Sequence, residues 1–413
     1  MAESGWGGPR PAWSSGNQVE LLPFGAALFP ALLQAWARAR HRIWLETYIF
    51  HDDPQALELA AALVDCARRG VEVRVVVDGF GSARALPTLE RMFAGSGVEF
   101  RVYRPWRRWS DLLQRGHWRR LHRKLCLVDA DLAFIGGINL IDDRHDIQHG
   151  WSAQPRLDYA VQVSGPVLRQ VQTQMRRLWQ RNFPPAATAP FGSAKLRRRL
   201  RHTLLDWSVR LAPGRQPASC EPAGVRAALV VRDNLLRRRA IEHSYVAAID
   251  HARSSVVLVC PYFYPGRVFR DSLERAAARG VKVTLMLQGR IDYRSAAWAA
   301  RALYRELLDA GIEIREYQRA FLHGKVAVID ASWSTIGSSN IDPLSLLVNR
   351  EANLLVDDSG FASRLLQHLQ PHLDAARAIS SAGPARHSSW LRDALVALAA
   401  RLFIALVGAT RRY

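Results

Sequence analysis

A chain of 413 residues, 49% of them hydrophobic, can bury the core of two ordinary domains or one large one, which excludes a disordered or fibrous protein as a whole. Its formal net charge of +20 points to phosphate-bearing partners, nucleic acid or anionic lipid, without choosing between them. The four cysteines, Cys66, Cys126, Cys220 and Cys260, stand far apart with no CxxC pair, which argues for free thiols in a reducing compartment and against a cysteine zinc site.

In chain order, residues 1–20 are rich in Gly, Ser, Trp and Pro and lack the charged start and apolar run of a signal peptide, so a flexible N-terminus is expected. The apolar run Ile43-Trp-Leu-Glu-Thr-Tyr48 predicts a strand. A helical stretch follows and ends at Ala67-Arg-Arg-Gly70. Val71-Glu-Val-Arg-Val-Val-Val-Asp78 predicts a second strand. A helix over 85–93 then leads to a short strand over 98–103. Glycine closing a helix just before a β-branched strand is a C-cap signal, and strands alternating with helices imply an α/β sheet.

The second half repeats this order. Val256-Val-Leu-Val-Cys-Pro-Tyr262 is the first strand, the helix ends at Ala277-Ala-Arg-Gly280, and Val281 to Gln288 is the second strand. A helix over 296–309 and a strand over 312–317 follow. The chain therefore reads as a tandem duplication: one domain over 21–182 and its copy over 225–385.

Between the copies, 183–224 reads as a basic linker. It opens on the Pro-rich Pro184 to Pro190 and continues as the basic, Leu-punctuated stretch Lys195 to Arg210, either a solvated connecting helix or one lying on an anionic membrane. Over 386–413, Leu391, Leu395, Leu398, Leu402 and Leu406 follow helical spacing. This segment is either a packed terminal helix or an interfacial one, since Arg401 would sit in the middle of a span. No run of about 18 uncharged apolar residues occurs, so no transmembrane helix is expected.

Two segments carry the chemistry. The first is His122-Arg-Lys124-Leu-Cys-Leu-Val-Asp129, continuing to Gly136-Gly137-Ile-Asn139. The second is His323-Gly-Lys325-Val-Ala-Val-Ile-Asp330, continuing to Gly337-Ser338-Ser339-Asn340. His, Lys, Asp, Gly and Asn recur at a constant offset of 201 residues, and the whole chain contains only four lysines: Lys124, Lys195, Lys282 and Lys325. In a strand, residues i and i+2 share a face, so each His points the same way as its Lys. That pairs a nucleophile or acid with a compact phosphate-binding cation. The small residues and the Asn that follow let amide donors approach an oxyanion. Asp129 and Asp330 end the strands at turns. They are candidates for the catalytic set, or for residues that fix the motif without touching substrate.

The paired motif resembles the double HxK(x)4D signature of the phospholipase D superfamily, over roughly Leu21 to Pro371. The resemblance implies an α/β fold, two pseudo-twofold-related phospholipase D-like sandwich domains with mixed sheets flanked by helices, whose motifs meet at one site. It implies a phosphohistidine mechanism in which His122 attacks phosphorus and His323 acts as acid and base. Lys124, Lys325, Asn139 and Asn340 would hold the nonbridging oxygens, with Asp129 and Asp330 completing the motifs. It also implies that each His is oriented by a carboxylate from the other half: His122 by Glu351 and His323 by Asp158. No cofactor and no metal are required.

Within that superfamily the chain looks most like the bacterial cardiolipin synthases without N-terminal transmembrane helices. The supporting residues are Glu46-Thr-Tyr48-Ile-Phe50, Pro261-Tyr262-Phe263 and the basic aromatic approach Arg104-Pro-Trp-Arg-Arg-Trp109 and His117-Trp-Arg-Arg-Leu-His122. Trp with Arg suits a headgroup-level surface; it also suits nucleic acid, where bases stack on aromatics. The resemblance implies phosphatidyl transfer between two phosphatidylglycerol molecules, on the cytoplasmic face of an inner membrane. Lipid hydrolysis and a nuclease stand as alternatives.

Overall fold

A computed structural model describes residues 10–106, 118–183, 224–233, 237–290 and 300–380. Nearly all of the expected linker, the C-terminal helix over 386–413, and Arg107, Arg108, Trp109 and His117 of the basic aromatic approach lie outside these residues.

The N-terminal half contains β1 (Ser14–Pro23), α1 (Phe24–Arg38), β2 (Arg42–Thr47), α2 (Pro54–Arg68), β3 (Glu72–Asp78), α3 (Leu86–Phe93) and β4 (Glu99–Tyr103). It continues with β5 (Lys124–Val128), β6 (Leu132–Gly136), a two-stranded hairpin of β7 (His145–Asp146) and β8 (Gly150–Trp151), β9 (Tyr159–Ser164) and α4 (Leu168–Asn182). The C-terminal half repeats the plan. It has β10 (Val225–Arg232), α5 (Ala240–His251), β11 (Ser255–Cys260), α6 (Arg267–Ala278), β12 (Lys282–Gln288), α7 (Tyr304–Asp309) and β13 (Glu313–Tyr317). It ends with β14 (Val326–Ile329), β15 (Trp333–Gly337), α8 (Pro343–Leu347), β16 (Glu351–Asp357), α9 (Ser359–Asp374) and β17 (Arg377–Ile379).

Local chemistry explains the repeated boundaries. Asp53 caps α2 by accepting the Ala56 N–H at 2.9 Å, and Pro54 follows in the first turn, where its missing N–H costs nothing. Gly70 and Gly280 close α2 and α6 at φ +91° and +86°, a conformation that glycine adopts without strain.

Fifteen strands form one sheet in the order β17-β13-β12-β11-β14-β15-β16-β10-β1-β9-β6-β5-β2-β3-β4. The β2–β3–β4 and β11–β12–β13 runs are parallel and the remaining pairs are antiparallel, a mixed sheet. Read outward from the β1–β10 pair, the seven strands of the N-terminal half are matched in order by seven of the C-terminal half, with β17 an unmatched edge strand, so the pseudo-twofold axis passes between β1 and β10.

Here the structure corrects the expected flexible N-terminus. Residues 14–20 belong to β1, the strand at the centre of the sheet, which pairs with β9 over Gln18–Pro23 and with β10 near Ser14 and Asn17. Fully buried Asn17 locks this joint, donating to Ser14 O at 2.7 Å and accepting from Val167 N at 2.9 Å. Its polar composition disguised a strand whose hydrogen bonds, rather than its side chains, tie the halves together.

The core follows the two-residue period of the strands. Leu125 and Leu127 of β5, with Val326 and Val328 of β14, face a central cluster shared by both halves and covered by α4 and α9. Cys126 and Val128 face the N-terminal cluster under α1 to α3, while Ala327 and Ile329 face the C-terminal one under α5 to α7. Each fully buried Leu or Val stabilises by about 1.5–3 kcal/mol. The central cluster therefore welds the two repeats into one body.

Candidate active site

Each catalytic strand is entered by a short extended segment that crosses to the opposite half. Leu121 bridges Arg350, and Leu157 bridges Leu322, both in parallel. His122 N donates to Arg350 O at 3.0 Å and Arg350 N to Arg120 O at 2.8 Å; His323 N donates to Leu157 O at 2.8 Å and Leu157 N to Phe321 O at 2.9 Å. The next residues in the opposing segments are Glu351 and Asp158. Backbone pairing thus delivers each carboxylate to the other half's histidine. His122 Nδ1 lies 2.9 Å from Glu351 Oε1, and His323 Nδ1 lies 2.5 Å from Asp158 Oδ2. A carboxylate on Nδ1 fixes the tautomer, leaves Nε2 for chemistry and stabilises a ring that gains charge.

The crossing segments are held from below. Asp78, at the end of β3, accepts the Leu121 N–H at 2.8 Å and pairs with Arg120 at 2.7 Å; Gln288, at the matching end of β12, accepts the Leu322 N–H at 3.1 Å. Sequence reasoning did not single out either residue as part of the site. Their signal was a polar residue ending an apolar strand at the same place in both copies.

The two lysines are almost completely buried. Lys124 Nζ donates to His122 O at 2.7 Å, and Lys325 Nζ donates to His323 O. Burial, and then the charge of Lys325, bring the Lys124 ammonium down to about 7; burial also lowers Lys325. Two buried cations that feel each other, with Glu351 and Asp158 already engaged by the histidines, make a site that gains from a bound anion. Burial lowers His122, against the opposing charge of Glu351, and burial with the Lys325 charge holds His323 well below 6.5. Both rings are therefore neutral nucleophiles or bases in the resting protein. Burial raises the Asp158 carboxyl to about 6, against the pull of Lys325.

Asn139 and Asn340 are buried beside the lysines' strands. Asn139 Oδ1 accepts the Ile49 N–H at 3.2 Å, while Asn340 Oδ1 has no hydrogen-bond partner among the described residues. That carbonyl oxygen can only accept and calls for a donor; the NH2 end of each amide is the one able to donate to a ligand oxygen. Tyr48, just past the end of β2, packs its ring edge against His122 at 4.8 Å and lies 5.4 Å from Lys124 Nζ.

The structure does not bring Asp129 and Asp330 to the site. They sit at the far ends of β5 and β14, roughly 16 Å along the strand from the lysines. Asp129 accepts the backbone N–H groups of Arg40, His41 and Arg42 at 2.7–2.9 Å, and Asp330 those of Arg253, Ser254 and Ser255 at 2.8–2.9 Å. Both adopt left-handed φ, +58° and +52°, which Asp tolerates. They staple the turn after each catalytic strand to the loop before β2 or β11. Their place among the catalytic candidates is corrected accordingly: they fix the motif without reaching substrate.

With this geometry in view, comparison with known proteins defines the class. The profile of the family described as "Cardiolipin synthase, PLD-like domain" matches residues 32–179 and 245–373. The chain belongs to this cardiolipin synthase family of the phospholipase D superfamily. It is 36% identical over 361 residues to cardiolipin synthase B of Escherichia coli K12, covering 87% of this chain and 81% of that protein. Against cardiolipin synthase A of Pseudomonas putida KT2440 the identity is 31% over 367 residues, covering 88% and 70%. The fold is shared with a phosphatidylserine synthase of Haemophilus influenzae at TM-score 0.64 and 13% identity, covering 88% of this chain and 87% of that one. Among the described residues no helix is long and apolar enough to cross a membrane.

Proposed function

We propose that the chain transfers a phosphatidyl group from one phosphatidylglycerol to the primary hydroxyl of another, yielding cardiolipin and glycerol, on an anionic membrane surface at the cytoplasmic face of an inner membrane. The observation that carries this reading is the cross-paired geometry: two histidines, each backed by the other half's carboxylate, beside two buried lysines.

His122 Nε2 attacks phosphorus. The P–N bond forms as the P–O bond to glycerol breaks, and His323 gives its Nε2 proton to the departing glycerol oxygen. His323 then takes a proton from the incoming phosphatidylglycerol hydroxyl. That oxygen attacks phosphorus, breaks the P–N bond and restores neutral His122. The anionic phosphodiester adds negative charge beside Lys124 and Lys325, and binding it raises His323 towards the protonated form the acid step uses, while His122 attacks as the neutral ring. Lys124, Lys325 and the Asn139 and Asn340 amides hold the nonbridging oxygens.

An exposed aromatic surface of the kind a lipid headgroup site needs lies beside the first motif. Phe80 is 50% and Trp106 36% exposed, with ring centroids 4.9 Å apart, and Arg120 reaches to 5.8 and 5.9 Å of the two rings. Exposed aromatics over a cation suit the headgroup layer of a membrane.

The test is incubation with phosphatidylglycerol vesicles, with products read by mass spectrometry. Cardiolipin and glycerol from wild type, absent with His122→Ala or His323→Ala, are expected. Phosphatidic acid in their place would make the protein a hydrolase, and cleavage of DNA with no lipid turnover would make it a nuclease. The order of the histidines is tested with His323→Ala and a phosphatidyl ester of a phenol, which needs no acid to leave. A phosphatidyl group accumulating on His122 is expected; accumulation on no residue would overturn the assignment.

A further inference from the structure

A second cluster of chemically capable side chains lies outside the phosphoryl-transfer site. Nothing in the sequence spacing marks it, because it gathers residues 51, 53 and 145. Asp53 Oδ2 is 3.3 Å from His51 Nδ1 and 3.6 Å from His145 Nδ1, and one ligand atom from each residue falls within 4.8 Å of the others. A tetrahedral ion with bonds of about 2.0–2.1 Å to imidazole and carboxylate sets its ligand atoms about 3.3–3.4 Å apart. The His51–Asp53 spacing already matches and the His145–Asp53 spacing is within a few tenths of an ångström of it.

Two further observations point to a ligand. His145 Nδ1 is buried and has no hydrogen-bond partner among the described residues, although a carboxylate lies beside it. A buried imidazole nitrogen without a donor or acceptor calls for an explanation, and a missing ion is one. The rings are also held in place. His145 stacks on Trp151 at 4.9 Å with planes 9° apart, and meets the His51 ring edge-on at 4.7 Å. Asp53 is fixed because its two oxygens accept the Ala56 and Asp142 N–H groups at 2.9 and 3.0 Å. Asp52 Oδ1 lies 3.6 Å from His51 Nδ1, which makes the spot locally acidic on a strongly basic chain. An ion would displace the bond from Asp53 N–H to His51 Nδ1, at 3.1 Å, and the direct contact of His51 Nδ1 with Asp53 Oδ2.

We propose that His51, Asp53 and His145 form a divalent transition-metal site of zinc type, which pins the β7–β8 hairpin to the corner between β2 and α2. Two imidazoles and a carboxylate suit zinc over calcium or magnesium, with water completing the shell. The ion takes no part in the phosphoryl transfer proposed above. Its role follows from what it joins. The hairpin leads into Asp158, and His149 at its tip packs on Phe321, two residues before His323, at 5.1 Å. The β2–α2 corner carries Ile49, whose N–H holds Asn139. An ion here would tie together the supports of both motifs.

The full chain, stripped with a chelator, would be titrated with zinc by calorimetry and with cobalt by visible absorption. One ion per chain is expected. His145→Ala and His51→Ala should each weaken binding at least tenfold, while His149→Ala, in the same hairpin but outside the cluster, should leave it unchanged. Zinc should raise the melting temperature of wild type and protect the hairpin from proteolysis, and do neither in His145→Ala. If His51→Ala fails to fold, His145→Ala on the hairpin decides. No bound ion in wild type, or binding indifferent to both substitutions, would overturn the proposal.

Discussion

The two halves of this chain carry the same motif in different surroundings. In the N-terminal half the residue between His and Lys is Arg123. It faces the central core, where its guanidinium pairs with buried Glu46 and also donates to Gln174 O at 3.3 Å. In the C-terminal half that position is Gly324, and the ring of Tyr159 from the other half fills the space, 3.1 Å from where a Cβ would stand. The residue after the motif glycine differs too. Gly137 leaves room for Asp158 Oδ1, with which any Cβ would collide. Its counterpart Ser338 donates its hydroxyl to Glu351 at 2.5 Å. His122 therefore faces a longer carboxylate steadied by a hydroxyl, and His323 a shorter one steadied by the Tyr159 N–H at 2.8 Å. A duplicated motif gives two equivalent histidines; their neighbours make the two surroundings unequal, and the proposed division into nucleophile and acid–base draws on that asymmetry.

The largest effects should come from the residues the halves share. His122→Ala and His323→Ala should each lower turnover by about 10⁴-fold or more, and the double variant little further, because they act as one unit. Steady-state assays of all three variants check this; additive losses would break the single-site picture.

Exchanging the carboxylates for amides separates the two environments. Glu351→Gln and Asp158→Asn should each cost about 10³–10⁴-fold through loss of the charge that supports a protonated ring. In wild type, kcat/KM should fall as the pH drops through about 6, where Asp158 takes a proton and can no longer hold a charged His323. Because Asp158 is raised in the folded chain from 3.8 to about 6, it costs stability above that pH, and the cost fades as the pH falls towards 3.8. Asp158→Asn should therefore melt higher than wild type at neutral pH, with the gain closing in acid, as calorimetry across pH would read. A lower melting temperature at neutral pH would mean that the ion pair outweighs the burial of the charge.

Smaller effects probe the asymmetry itself. Glu46→Ala strands the buried Arg123 and should destabilise by about 3–5 kcal/mol, measured by denaturant unfolding. The matching C-terminal pair, Val259 and Gly324, holds no charge to strand. Gly137→Ala should cost about 1–3 kcal/mol through overpacking and reduce turnover by roughly 10²-fold by displacing Asp158. Ser338→Ala removes one hydrogen bond from Glu351 and should cost about 1–3 kcal/mol, read as a decrease in kcat with KM held.

Much of the fold was legible in the sequence because its signals are local. The repeated strand–helix order, the glycines closing α2 and α6, and the buried strands after Lys124 and Lys325 follow from two-residue periodicity and capping. β1 was not legible, since Ser14 to Glu20 carries few apolar residues and is ordered by backbone pairing to β9 and β10. At the site, His122, Lys124, His323, Lys325, Asn139 and Asn340 were marked by their constant spacing. Spacing could not separate them from Asp129 and Asp330, whose equal regularity reflects a backbone staple.

By itself, then, the sequence determined that there are two copies, which residues recur and that phosphate is their natural ligand, because each of these is written in the order and type of residues along one segment. Only the tertiary structure decided how backbone pairing delivers Glu351 to His122 and Asp158 to His323, as the resemblance had implied, that Asp78 and Gln288 hold the crossing segments, and that His51, Asp53 and His145 converge. Such contacts join residues tens to hundreds of positions apart. They form when the sheet closes across β1 and β10 and the burial of a shared core pulls the two halves into register.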